Sequence, residues 1–311
     1  MIVTLSDTST REITKLLLDN QENHSLATGR VLTLIVVADI ADDVESILDN
    51  VRSASHEHPA RVLMLITGNP DGEASMDAQA ILSSDAGASE IVVMDLHGDL
   101  ANNLDSVVTP LLLPDTPIVT WWPSTAPADP ILHPLGRLAH RRITNARENV
   151  DGNTLLRLAN GYSPGDSDMM WSRITNWRGV VASAVDAYPH DPITAVEIDG
   201  PDDDPSVDMA AGWLAACLDL EVHRTTSGET RSEPSRYFPV RRLTLQRESG
   251  PVTVSVKDDK TVRVTVPGIG AQFVALGTRS DADCLAEELR HLDPDFAYSQ
   301  ALKALPNVKV V

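Results

Sequence analysis

The residues to weigh first are those that could hold a metal ion or move a proton. His56 and His58 flank Glu57, and on a strand both imidazoles would share one face because successive side chains alternate. A zinc centre needs a tetrahedral set of ligands, and no neighbouring Cys, His or carboxylate motif completes one. The string reads instead as the end of a helix and the start of a strand. Asp166-Ser167-Asp168 and Asp202-Asp203-Asp204 have the oxygen chemistry for Mg²⁺, yet each directly precedes a helical pattern. Capping of free helix N–H groups accounts for both. Cys284 lies beside the stripe Leu285, Leu289 and Leu292 and reads as core or near-core. Nothing around it suggests an activated thiolate.

Larger chemical motifs are missing. The loop after the first long apolar run reads Ala38-Asp39-Ile40-Ala41, without the glycines that let backbone approach a pyrophosphate. No Gly-Lys-Ser/Thr phosphate loop and no Gly-x-Ser-x-Gly elbow occur. No catalytic residue, cofactor or metal site is therefore expected. Two residue types remain unspent. Arginines cluster at Arg137, Arg141, Arg142 and Arg147, continue at Arg157, Arg173 and Arg178, and form a second group from Arg224 to Arg247. They either pair with the many carboxylates or form islands for phosphate or an acidic partner surface. Trp121-Trp122-Pro123 and the pair Trp171 and Trp177 are either core aromatics or an anchor patch, since Trp and Arg are enriched at protein interfaces. The candidate partner-binding set is thus Trp121, Trp122, Arg141, Arg142, Trp171, Arg173, Trp177 and Arg178. An alternative is a sugar-phosphate or nucleotide-binding regulatory protein with Arg141, Arg142, Arg173 and Arg178 as a phosphate clamp. A third reading, an unfamiliar enzyme, would need His58, Asp166 and Arg173 gathered in one cleft.

Composition narrows the class. The chain has 311 residues, 42% hydrophobic, with 45 acidic against 25 basic side chains and a formal net charge of −20. That balance disfavours nucleic acid and anionic lipid as principal partners. Between Arg61 and Arg137 there is no Lys or Arg at all, so this stretch is purely acidic and could steer a basic patch on a partner. The opening residues lack a secretory pattern, no long apolar run suits a membrane span, and two isolated cysteines fit a reducing cytoplasm. The length suggests two domains.

The elements that position these residues follow from periodicity. Ser9-Thr10-Arg11-Glu12 predicts a capping box before the helical residues Ile13, Leu16 and Leu17, with the helix ending near Asn20. Val31–Val37 predicts a strand buried on both faces, Val44 to Val51 an amphipathic helix, and Val62–Ile66 a second strand, which makes a βαβ unit. Met76 to Leu82 alternates as a strand. Ile91–Met94 and Ile118–Trp122 predict further strands, with one helix from Leu100 to Leu111 between them. Short helices are expected at Leu132–Ala139 and Thr154–Ala159, and a short strand at Arg142–Thr144. The turn Ser163–Asp166 leads into a longer helix with the stripe Met170, Ile174, Trp177, Val181 and Val185. Tyr188–Pro192 reads as a domain junction. Beyond it come a strand at Ile193–Ile198, a helix at Val207–Leu218, a polar loop at Thr225–Pro234, strands joined by tight turns between Arg241 and Leu276, and two closing helices. The predicted fold is α/β: an N-terminal layered domain over 1–190 with a mostly parallel or mixed sheet, Rossmann-like without the dinucleotide motif. A smaller α+β domain with an antiparallel meander is expected over 191–311.

Several strings taken in order resemble a known family. They are Asn23-His24-Ser25-Leu26-Ala27-Thr28-Gly29-Arg30-Val31, then His58-Pro59-Ala60-Arg61, then Leu111 through Pro123 with its Pro-Asp-Thr-Pro and Trp-Trp-Pro, then Arg141-Arg142-Ile143-Thr144, and last Tyr162 through Arg178. Together they are similar to the glucose-6-phosphate dehydrogenase assembly protein (OpcA) family, most densely over residues 23–185. The resemblance implies a non-catalytic protein that binds glucose-6-phosphate dehydrogenase and promotes its active oligomer or raises its activity. The partner so implied is an NADP-linked enzyme at the entry to the oxidative pentose phosphate pathway. A small-molecule effector is possible under this reading but is not identified by it.

Overall fold

A computed structural model describes residues 1–23, 31–82, 90–148, 153–187, 190–226, 228–231 and 236–311. Most of the string 23–31, part of the junction at 188–192 and part of the loop at 225–234 lie outside the described residues. In chain order the strands are β1 (Ile2–Leu5), β2 (Leu32–Asp39), β3 (Ala60–Thr67), β4 (Ser75–Leu82), β5 (Glu90–His97), β6 (Ile118–Trp121), β7 (Arg141–Thr144) and β8 (Asp166–Asp168). They continue as β9 (Ala195–Gly200), β10 (Val222–Thr226), β11 (Arg242–Gln246), β12 (Val252–Asp258), β13 (Thr261–Val266), β14 (Gly270–Ala275) and β15 (Val308–Val310). The helices are α1 (Thr10–Asn23), α2 (Val44–Glu57), α3 (Asp99–Asn102), α4 (Leu104–Val108), α5 (Pro134–Leu138) and α6 (Thr154–Asn160). After them come α7 (Met169–Arg173), α8 (Thr175–Val185), α9 (Pro205–Leu218), α10 (Asp281–Arg290) and α11 (Phe296–Ala304).

The protein is an α/β chain with two mixed sheets of eight and seven strands. Two compact units contain them. The first gathers residues 1–148, 163–167 and 281–294, and the second 149–162, 168–280 and 295–311. The chain therefore crosses between units at 148, 162, 167, 280 and 294, and residues 168–187 belong with the second unit.

In the first unit the sheet order is β1-β4-β5-β3-β2-β6-β7-β8. The inner strands β5, β3, β2, β6 and β7 pair parallel with one another in that order, whereas β4 runs antiparallel between β1 and β5. Parallel strands need long crossovers, and α2 between β2 and β3 supplies one. Apolar residues of both parities are buried in β2 and β3: Leu34, Val36, Val62 and Met64 as well as Ile35, Leu63 and Leu65. Both sheet faces are therefore covered. One face meets Ile13 and Leu17 of α1 with Leu104, Val107 and Val108 of α4. Elsewhere α10 packs against α2. The capping box of α1 forms reciprocally: the Ser9 amide donates to Glu12 at 3.2 Å and the Glu12 amide to Ser9 Oγ at 3.4 Å.

The second unit is built on the order β14-β13-β12-β11-β9-β10-β15. From β11 to β14 the strands form the antiparallel meander expected from the turns. The edge pair β10 and β15 is parallel. Val196, Ile198, Leu243, Leu245, Val252, Val254, Val262 and Val264 are buried on one face, over which α8 and α9 pack. Helix α11 packs on α9, and Gly212 makes that approach possible, because a Cβ there would meet the Ala301 carbonyl oxygen at 2.6 Å.

Some predicted elements differ in detail, and two short strands were not predicted. The run Leu100–Leu111 divides into α3, α4 and a 3₁₀ turn at Thr109–Leu111. Asp166 does not cap a helix but lies in β8, and the long helix after it splits into α7 and α8 at Ile174. The short strands β1 and β15 carry too few residues for alternation to mark them.

Candidate partner interface

The inner parallel strands follow the order that in dinucleotide-binding folds places a ligand at the C-terminal ends of the two strands where the order reverses. Here those strands are β2 and β6. The loop after β2 spends its backbone donors on its own carboxylates. The Asp39 amide donates to Asp42 Oδ2 at 2.8 Å, the Ala41 amide to Asp39 Oδ1 at 2.9 Å, and the Ser46 amide to Asp43 Oδ1 at 3.1 Å. From the β6 side Ser124 Oγ donates to Asp42 Oδ2 at 2.6 Å, which ties the two loops together. Three carboxylates stand where a pyrophosphate would need donors and positive charge, so this arrangement repels phosphate instead of cradling it.

The eight residues singled out by type and spacing are mostly internal. Trp121 and Trp122 are 1% and 2% exposed and Trp177 is fully buried. Trp122 sits edge-on to His133, at 5.5 Å between centroids, and Trp177 edge-on to Trp213 at 6.0 Å. Burial also lowers the His133 pKa, opposed by the charge of Asp105. Arg141, buried on β7, forms an ion pair with Glu288 of α10 and donates to the Asp293 carbonyl. Arg142 pairs with Asp166 and donates to the carbonyls of Ala139 and Pro164 at 2.9 and 2.5 Å. Burial raises the Asp166 pKa, although the Ser163 amide and Arg142 both pull it down. These contacts fasten β8 and α10 into the first unit.

In the second unit Arg173 donates to the Arg279 carbonyl at 2.7 Å, and Arg279 returns a bond to the Ser172 carbonyl at 2.8 Å. The Arg178 guanidinium lies 3.4 Å from the Trp171 ring centroid, the contact that a seven-residue spacing across two helical turns allows. Trp171 Nε1 donates to Asp295 Oδ2 at 2.7 Å, and its ring meets Tyr298 edge-on at 5.8 Å. Seven of the eight side chains are buried and Arg178 is half-buried. Each of the four arginines named for a phosphate clamp thus has partners within its own unit, carboxylate and carbonyls for Arg141 and Arg142 and a carbonyl or an indole for Arg173 and Arg178. Within the first unit Asp166 is taken up by Arg142, and within the second Arg173 donates to the Arg279 carbonyl. Among the described residues no three His, Cys, Asp or Glu side chains gather to hold a metal ion.

What spacing did not single out is the outward face of the second unit's sheet. Opposite the buried valines, register aligns Phe273, Arg263, Ser255, Arg242 and Asp199 in one row across five strands. A second row runs Ala271, Thr265, Thr253, Thr244, Glu197, His223 and Lys309. Phe273 is 59% exposed, and Lys257 Nζ lies 4.4 Å from its ring centroid. Arg242 and Arg263 are exposed. The signal was present in the alternation of Val262, Val264 and Val266, which places Arg263 outward, and in Phe273, which lies opposite it.

Two family models match this chain. One, described as the N-terminal domain of the glucose-6-phosphate dehydrogenase subunit, matches residues 51–160. The other, described as the C-terminal domain of the same subunit, matches residues 164–302. The chain belongs to the glucose-6-phosphate dehydrogenase assembly protein (OpcA) family. The boundary between the matched domains falls near residue 162, where the chain also crosses between units, and upstream of the junction expected at 190. None of the curated proteins compared with the chain matches it. Among solved structures, a 3-ketoreductase from Actinomadura kijaniata in complex with TDP-benzene and NADP covers 90% of this chain and 99% of its own, at 8% identity and a TM-score of 0.44. A protein described as trehalose-6-phosphate from E. coli, bound with UDP-2-fluoro glucose, covers 62% of this chain and 64% of its own, at 11% identity and a TM-score of 0.27. Neither likeness is strong enough to bear on function. Among the described residues no helix is long and apolar enough to cross a membrane.

Proposed function

We propose that this chain is a non-catalytic subunit that binds glucose-6-phosphate dehydrogenase and favours the enzyme's active state. The observation that carries the reading is that both family models name a subunit of that dehydrogenase and together span most of the chain. The site geometry agrees with it: the sheet's reversal point is occupied by its own carboxylates. The mechanism is linkage. A chain that binds one conformational or oligomeric state of the enzyme better than another shifts the population toward it, by no more than the difference in affinity. A coupling of about 1–3 kcal/mol gives roughly 5- to 150-fold in apparent substrate affinity. On this reading the chain works in the cytoplasm, beside an NADP-linked enzyme of the pentose phosphate pathway.

The test is a titration of this chain into purified glucose-6-phosphate dehydrogenase of the same organism, reading kcat, KM and oligomer size together. The proposal expects a saturable change in KM, in kcat or in oligomer mass. Unchanged values at micromolar chain would refute it.

A further inference from the structure

We infer that the chain docks on the dehydrogenase through the outward face of β11 to β14, with Phe273 as the apolar anchor and Arg242, Lys257 and Arg263 as its cationic surround, and that the enzyme surface it meets is acidic. The inference rests on the function proposed above.

Three observations carry it. The face is open, since the helices of the unit pack over the valines on the other side. An antiparallel sheet commonly leaves one face in water, so openness alone decides nothing. Its chemistry does. Phe273 stands 59% exposed, and Ile269 at the neighbouring turn is 51% exposed, on an edge strand that hydrogen-bonds on one side only. An exposed edge strand is normally guarded by charge or proline. Here β14 reads Gly-Ala-Gln-Phe-Val-Ala and carries neither.

The second observation is charge. In a chain of net charge −20, Arg242 and Arg263 are exposed on one sheet face and form no ion pair with any described residue. Lys257 lies over the Phe273 ring, which holds its ammonium beside the apolar anchor. Asp258 at the adjoining turn accepts from the Lys260 amide at 3.0 Å. The carboxylates in register with this face are Glu197 and Asp199 on β9, the latter opposite Arg242, and Asp258 opposite Thr261, beside Lys257; Arg263 and Phe273 have none directly opposite them. A cationic island on an acidic protein repels other cationic surfaces and is complementary to a carboxylate-rich one. Arg beside a large aromatic is also the composition that dominates binding energy at interfaces.

The third is flatness and low entropy cost. Between the arginines the face is floored by Thr244, Thr253, Ser255, Thr261 and Thr265, all half-buried. Their short side chains lose little rotamer freedom on contact. Four strands, β11 to β14, spaced about 4.8 Å, over five residues of about 3.3 Å each, give a footprint on the order of 300 Å². Doubled over both partners, that is the size of a weak, transient contact and not of an obligate one, and because its surround is cationic, salt should weaken it.

The experiment measures binding of the full chain to purified glucose-6-phosphate dehydrogenase by sedimentation or biolayer interferometry, at about 50 mM and about 500 mM salt. Phe273→Ala, Arg263→Glu and Arg242→Glu are compared with Phe296→Ser, whose exposed side chain lies on α11 away from this face. Melting curves confirm that each variant is folded. Expected is at least tenfold weaker binding for Phe273→Ala and for Arg263→Glu, with Phe296→Ser unchanged and salt acting mainly on the wild type. Wild-type binding that survives all three face substitutions overturns this inference and leaves the proposed function standing. Loss of self-association with enzyme binding intact assigns the face to a second copy of the chain, and likewise overturns it. A wild-type chain that binds no dehydrogenase overturns both.

Discussion

Glu288 on α10 and Arg141 on β7 form an ion pair at 2% and 4% exposure, across 147 residues of sequence. In Glu288→Leu the guanidinium stays buried with only the Asp293 carbonyl, 3.2 Å away, as acceptor, and its Nε already has no partner. Leaving one charge of a buried pair uncompensated costs about 3–5 kcal/mol. For a unit of roughly 150–250 residues each kcal/mol moves Tm by about 2–4 °C, so the loss is on the order of 10 °C. Replacing both partners, Arg141→Met with Glu288→Leu, removes the stranded charge and should return Tm to near the wild type, because apolar pairs of similar volume are often as stable. Calorimetry on the four proteins of this cycle provides the assay. A single substitution that shifts Tm by under about 2 °C, or a double variant no better than Glu288→Leu, would refute the claim that this pair fastens α10 to the sheet.

Gly136→Ala should fail to fold or melt far below the wild type. Its Cβ would lie 1.8 Å from the Pro130 carbonyl oxygen, and backbone cannot yield as a side chain does; circular dichroism during heating checks this. Trp171→Phe keeps an aromatic ring but removes the pyrrole half of the indole with the N–H donated to Asp295, for a loss of at least about 1–3 kcal/mol in urea unfolding. Asp95 faces Asp77 directly across β4 and β5, and burial first, then Asp77, raises its pKa. The folded state therefore holds this proton more tightly than the unfolded chain. Stability from the group is present in acid and lost as pH rises from the ordinary carboxylate range through the raised value. Asp95→Asn should accordingly gain about 0.5 kcal/mol at neutral pH, limited by solvent screening, and flatten the acid side of the stability–pH curve.

The buried parallel strands were legible because a nearly continuous apolar run such as Val31–Val37 suits a strand covered on both faces, here Leu32–Asp39. The meander was legible from its valine alternation and tight turns. The helix caps also declared themselves: Asp168 accepts from the Met170 amide at 2.9 Å and Asp204 from the Ser206 amide at 3.0 Å. Elements fixed by distant partners were not legible. Asp166 looks like a cap in sequence, but Arg142, 24 residues away, draws it into a buried pair. The tryptophans and arginines of 121–178 announced importance without saying which way they point. A rare residue type marks an interface and a core alike, and only packing distinguishes them. By contrast, Phe273 and Arg263 lie in segments without rare strings: valine alternation already turns Arg263 outward, but that Phe273 stands opposite it follows from strand register, which a single sequence does not display until the pairing is known.

The most direct test of the central claim is a mass measurement on an equimolar mixture of this chain and the glucose-6-phosphate dehydrogenase of its own organism. The account predicts a new species whose mass equals a whole-number combination of the two, and which is lost when Arg263→Glu replaces the wild type. Two species that keep their separate masses at micromolar concentration and low salt would contradict it.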